Sequence, residues 1–180
     1  PSRHVHEHGA NHVCMHEYLH RGNHKVQFDH DSEEVVIKAW YYAARNHPQE
    51  WKQLREALAF WNQFSNQYGL EILQNGQKKT YRVFFDLRRM EGTYNENGFY
   101  VPHQNLSAQY VTQIEVLPAE KMPKSKWTHH KIAGYAPANF IYISDLHADN
   151  VLIGMHELGH RLGAKHIPYT IMDSSLEGLQ

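Results

Sequence analysis

The hydrophobic pattern of this chain changes period several times, and each change marks an element. Residues 34 to 42, Glu-Val-Val-Ile-Lys-Ala-Trp-Tyr-Tyr, are β-branched and aromatic and predict a strand, with a short helix from Ser32 as the competing reading. Pro48 suits the first position of a helix, where its missing N–H costs nothing. After it Trp51, Leu54, Leu58, Trp61, Ser65 and Tyr68 keep three-four spacing, which predicts an amphipathic helix of about 18 residues ending near Gly69. Its aromatic stripe reads as packing against a sheet. Tyr81 to Leu87 and Gln109 to Leu117 predict strands, separated by a loop over 89 to 107 that Gly92, Asn95, Asn97, Gly98 and Pro102 keep irregular. Ile132 to Ala136 and Phe140 to Ile143 predict two short strands around Pro137. Finally Val151, Leu152, Ile153, Met155, Leu158 and Leu162 return to helical spacing, with Asp149 or Asn150 placed to cap them. Mixed helices and strands in this order predict an α+β fold.

The first 30 residues depart from this pattern. Apolar residues are scarce there, and half of the 16 histidines occupy positions 4, 6, 8, 12, 16, 20, 24 and 30. Such a segment builds no core of its own, so residues 1 to 33 read as a leader lying on the rest of the chain, 34 to 180. A length of 180 residues fits one compact domain, and a formal charge of −1 with neutral histidines gives no reason to expect nucleic acid or anionic membranes as partners. No apolar run approaches the ~20 residues that span a bilayer, and no secretory signal is visible. Cys14 is the single cysteine, so no disulfide forms within the chain.

The chemistry concentrates in His156-Glu157-Leu158-Gly159-His160-Arg161-Leu162-Gly163-Ala164-Lys165-His166. His156 and His160 stand four apart, so on a helix they share a face and can grip one metal ion. Glu157, beside the first ligand, can reach a metal-activated water without ligating the metal itself. Gly163 tolerates positive φ, which lets the helix stop and the backbone turn to bring His166 back as a third ligand. Three protein ligands leave one position open, the pattern of a catalytic zinc site. A histidine-rich chain matches the bare H-E-x-x-H pattern by chance about 0.1 times, so the bare match is only suggestive. A second copy indeed occurs at His16-Glu17-Tyr18-Leu19-His20. It lies in the polar leader, lacks the glycine and third histidine, and reads as a composition effect, with a second metal site as the alternative.

The full pattern H-E-x-x-H-x-x-G-x-x-H resembles the zinc motif of the metzincin metallopeptidases. Six residues after His166 stands Met172, which resembles the Met-turn methionine that closes the site below the zinc in that family. The resemblance implies a twisted mixed sheet with one backing helix and an active-site helix beneath it, forming an N-terminal subdomain over 34 to 166. Residues 167 to 180 would then carry the Met-turn and a very short C-terminal subdomain. It also implies a Zn²⁺-dependent endopeptidase of protein or peptide substrates, secreted or otherwise extracytoplasmic, with His156, His160 and His166 as ligands and Glu157 as general base. By the same resemblance Gly134-Tyr135-Ala136 lies on the sheet edge that faces substrate. No tyrosine stands two residues after Met172, so the extra tyrosine ligand of astacin-like and serralysin-like members has no counterpart there.

His12-Val13-Cys14-Met15-His16-Glu17 resembles the H-x-C-x-H-D propeptide element of leishmanolysin-like proteases, with Glu17 in place of the aspartate. That resemblance implies a cysteine switch: the Cys14 thiolate as fourth zinc ligand, the leader as intramolecular inhibitor, and activation by cleavage near residues 20 to 33. Asp29 or Asp31 would be the competing switch residue, and an adventitious thiol the plainer alternative. Two other functions stay open: a non-catalytic histidine-rich protein that binds or stores metal, and an inactive relative serving as a binding module. Storage requires neither Glu157, Gly163 nor Met172, and the intact ligand set argues against inactivity.

Overall fold

The computed structural model describes residues 3–5, 15–17, 23–125, 129, 131–167 and 170–173. Cys14, and with it the predicted cysteine switch, lies outside the described residues. The fold is α+β: a curled mixed sheet with two helices packed on it.

The sheet centres on β4 (Glu34–Ala43), whose alternate residues Val35, Ala39, Tyr41 and Ala43 are buried, as strand periodicity requires. β4 runs parallel to β6 (Gln77–Arg89) on one side and to β9 (Val111–Leu117) on the other. Beyond β9 lies β11 (Phe140–Ser144), also parallel, and then β10 (Gly134–Tyr135), antiparallel and at the edge. β5 (Gly69–Gln74) forms the opposite edge, antiparallel to β6. Parallel neighbours need crossovers, and helix α1 (Pro48–Asn62) supplies the one between β4 and β6. The core gathers between the sheet and the two helices, around Leu54, Ala57, Ile114, Ile141, Ile143, Ile153 and Leu158.

Several boundaries differ from the sequence expectation, each for an identifiable reason. Residues of the expected leader already belong to the sheet: β3 (Lys25–Asp29) pairs antiparallel with the first half of β4. Its apolar residues Val26 and Phe28 stay exposed, which is why no core signal marks them. α1 stops at Asn62, well before Gly69, because the polar residues that follow become partners of β6. The Asn62 amide donates to the Leu87 carbonyl and accepts from the Leu87 N–H, and the Ser65 hydroxyl does the same at Phe85. Asn66, at φ 63°, then donates its N–H to the Val83 carbonyl. The unpredicted strand β5 is joined to β6 through Asn75-Gly76, both at positive φ (52° and 78°), the backbone of a tight two-residue hairpin. Within the expected loop of 89 to 107, β7 (Gly92–Tyr94) and β8 (Tyr100–Pro102) form a small hairpin. In the leader, β1 (Arg3–Val5) and β2 (Met15–Glu17) pair antiparallel.

Helix α2 (Val151–Arg161) carries the motif, and Asn150 caps it by accepting the Leu152 N–H at 3.1 Å. Its placement depends on a buried polar side chain of α1. Gln53 donates to the carbonyls of Ala148 and Asn150, each at 2.8 Å, and accepts the Gly154 N–H at 3.0 Å. Gly154 permits this approach, since a Cβ there would stand 2.5 Å from the Gln53 amide oxygen. Glu50, a helical turn earlier, is a second such anchor: its buried carboxylate accepts from the N–H groups of Arg45 and Val116 and from the Arg45 guanidinium, tying α1 to β9. Gln53→Ala should therefore destabilise the fold by about 1–3 kcal/mol, through buried groups left without partners. Urea unfolding followed by circular dichroism measures it, and a change within a few tenths of a kcal/mol would show that Gln53 does not hold α2.

Candidate metal centre

Eight of the eleven residues of α2 are buried, among them His156, Glu157 and His160. The helix ends where the motif glycine stands: Gly163 adopts φ +93°, and the Ala164 N–H folds back to the Gly159 carbonyl at 2.9 Å. This reversal brings His166 against the helix. The Nε2 atoms of the three histidines converge in a triangle with sides of 3.0 Å (His156 to His166), 3.1 Å (His156 to His160) and 2.9 Å (His160 to His166). Among the described residues these are the histidine, cysteine or acidic side chains that group closely enough to hold a metal.

The proton positions follow from the carbonyls around them. His156 Nδ1 lies 2.9 Å from the Ile171 carbonyl, and His160 Nδ1 lies 2.9 Å from the Ala164 carbonyl. A carbonyl only accepts, so each Nδ1 carries the proton, and in the neutral ring Nε2 presents a lone pair to the centre. Lone pairs directed at one another repel, and a cation between them turns that repulsion into coordination. Two nitrogen ligands about 2.0–2.1 Å from a tetrahedral zinc ion stand about 3.3 Å apart. The observed triangle is within a few tenths of an ångström of that spacing, so these residues fit zinc.

Glu157 is fully buried beside the cluster, its carboxylate 4.0 Å from His156 Nε2. Neither carboxylate oxygen accepts a hydrogen bond from the described residues. Burial raises its pKa well above the ordinary carboxylate range, while the Arg161 guanidinium one helical turn away draws it back down. Strand β10 passes next to it: a Cβ on Gly134 would stand 2.7 Å from Ile153 and 3.3 Å from the Glu157 side chain. The residues expected at the substrate edge, Gly134 and Tyr135, form that edge strand, and Ala136 is buried just beyond it.

Below the cluster, residues 170 to 173 make a tight turn in which the Thr170 hydroxyl accepts the Met172 N–H and the Thr170 carbonyl accepts the Asp173 N–H. Met172 is 2 % exposed and lies under α2, where a Cβ on Gly159 would come 2.4 Å from its sulfur. The same turn supplies the Ile171 carbonyl that orients His156.

Three contributors carry no motif signal. The carbonyls of Ile171 and Ala164 are main-chain groups, visible only once the turns are built. Asn23 falls within the expected leader, yet it is buried at the far end of α2. Its N–H donates to the Arg161 carbonyl at 2.9 Å and its side-chain oxygen accepts from the buried Arg161 guanidinium, which also donates to the Ala138 carbonyl. Gln53 likewise stands outside the apolar stripe of α1, and only its burial in the folded chain reveals it as a support.

Comparison with family models, with curated proteins and with solved structures finds no match for this chain. No helix among the described residues is long and apolar enough to cross a membrane. His160→Ala should weaken zinc retention by at least about 100-fold in competition with a chelator, because one of three ligands is lost. His30→Ala, in the exposed β3–β4 turn, should leave retention unchanged. Equal losses in the two variants would show that zinc binds to the chain's histidines in general.

Proposed function

We propose that this chain is a zinc-dependent endopeptidase of the metzincin type, with His156, His160 and His166 as zinc ligands and Glu157 as general base. The observation that carries the reading is a three-histidine triangle, a buried carboxylate at its side that accepts no hydrogen bond from the described residues, and an edge strand next to that carboxylate. A storage site needs the triangle alone. Held by His156, His160 and His166, a zinc ion would supply Lewis acidity toward a substrate carbonyl and a water molecule. Glu157 takes up the proton at its carboxylate and delivers it to the departing amine. The open main-chain edge of β10 pairs with an extended peptide and sets the scissile bond against the cluster. Met172 and Gly159 hold the floor of the site, and the Ile171 and Ala164 carbonyls keep two imidazoles in the ligating tautomer.

The leader is proposed to keep this enzyme latent, with Cys14 as fourth ligand. What supports latency is the position of β2, which comes close to β10, the strand proposed to pair with substrate. Asn23 and β3 belong to the folded body, so an activating cut that leaves the sheet intact falls before Asn23.

Glu157→Gln should keep one equivalent of zinc and lose peptide hydrolysis by about 10²–10⁴-fold, the share that a positioned general base contributes. Hydrolysis at the parent rate in a zinc-replete Glu157→Gln chain would contradict the mechanism. Cys14→Ala should raise the activity of the uncleaved chain toward that of the cleaved one. Unchanged latency in this variant would rule out the thiol as the switch.

A further inference from the structure

A cavity of about 560 Å³ opens between α1, the end of β6 and the β7–β8 hairpin, away from the three clustered histidines. Its volume is within the range of small-molecule sites, about 300–1,000 Å³. Leu54, Leu58 and Leu87 give it an apolar floor. Trp51, Tyr94 and Tyr100 form one wall, packed edge to face with ring centroids 5.1 to 6.2 Å apart. The Trp51 indole donates to the Tyr94 hydroxyl, which donates to the Arg45 carbonyl, so the wall is fixed to the end of β4. Gly92 shapes the rim: a Cβ there would stand 2.7 Å from the Tyr100 ring and 2.4 Å from the Val101 carbonyl.

Arg55 and Arg89 supply the charge. Both are exposed and both line the cavity, and among the described residues no aspartate or glutamate lines it. The cations of the ion pairs among the described residues are others: Arg45, Lys79, Arg82 and Arg88. The Arg89 guanidinium lies 4.8 Å over the Trp51 ring, which holds its fork at the cavity without neutralising it. On a chain of net charge −1, two arginines without carboxylate partners over an apolar floor form a local exception. Guanidinium forks match the geometry of carboxylate and phosphate oxygens.

We propose that this cavity binds a small molecule with an anionic head, carboxylate or phosphate, on an apolar body the size of a ring. The body would lie on the leucine floor against the aromatic wall, and the head would meet Arg55 and Arg89. The inference is independent of the metal site. It is tested on the full chain by titrating phenyl phosphate and benzoate while following the Trp51 indole N–H by NMR. Benzyl alcohol serves as the neutral ring and inorganic phosphate as the head alone.

At least one ring anion should saturate with Kd no weaker than about 1 mM and bind at least about tenfold more tightly than either control. Arg55→Gln with Arg89→Gln should weaken it about tenfold or more, the loss expected from two charge-assisted contacts. Arg55→Gln alone, which leaves the Arg89–Trp51 contact in place, should weaken it measurably. Absence of saturation by both anions up to about 10 mM overturns the proposal, as does benzyl alcohol binding equally well or an affinity that the double variant leaves unchanged.

Discussion

Three imidazole nitrogens brought within 3.1 Å of one another are the constraint on which the rest of this structure turns. At two of them the opposite ring nitrogen faces a carbonyl, so the converging edges are lone pairs and repel. A fold reaches such an arrangement only if something else holds the rings in place. Here the restraint comes from both ends of α2 and from below. Gln53 fixes the first turn, Asn23 engages the last, and the turn at 170 to 173 presents the Ile171 carbonyl and the Met172 sulfur. The glycines of the helix share this logic. Gly154 makes room for Gln53 and Gly159 makes room for Met172, so two positions with poor helix propensity exist because partners approach there.

Close approach also places the sheet edge. β10 is only two residues long, and Gly134 allows it to lie directly against α2 beside Glu157. A buried carboxylate that accepts no hydrogen bond from the described residues is costly to maintain. It lies beside the histidine triangle and next to the edge strand β10, and in the proposed enzyme that position is what the cost serves. The end of the expected leader is tied to this centre through Asn23 and to the sheet through β3, and β2 comes close to β10. In the proposed enzyme, the segment that restrains the site and the helix that forms it are thus in physical contact.

Legibility in the sequence follows the length and uniqueness of each signal. Helix α2 and the convergence of its histidines stand out because the spacing His156, His160, Gly163, His166 restricts both face and turn, and the apolar residues around it keep one period. The central strand β4 is legible from its β-branched and aromatic run. β5 is not, since Gly69–Gln74 is short and mostly exposed, although Asn75-Gly76 carries a hairpin signal of its own. The end of α1 is hard to place because its apolar spacing continues through Ser65 and Tyr68, while the side chains of Asn62 and Ser65 are drawn off to β6. β3 is hidden by composition: two apolar residues in a histidine-rich stretch, neither of them buried. The carbonyls that orient the imidazoles have no side-chain signature, so this aspect of the site emerges only from the folded chain.

The central claim is that the three converging nitrogens hold one zinc ion. X-ray absorption at the zinc edge of the intact chain, loaded with one equivalent, tests it most directly. The account predicts a single tightly held ion with three imidazole nitrogens at about 2.0–2.1 Å and one further ligand, which is sulfur at about 2.3 Å if Cys14 is the switch. Several weakly held ions, or a first shell that survives replacement of both His156 and His160 by alanine, would contradict it.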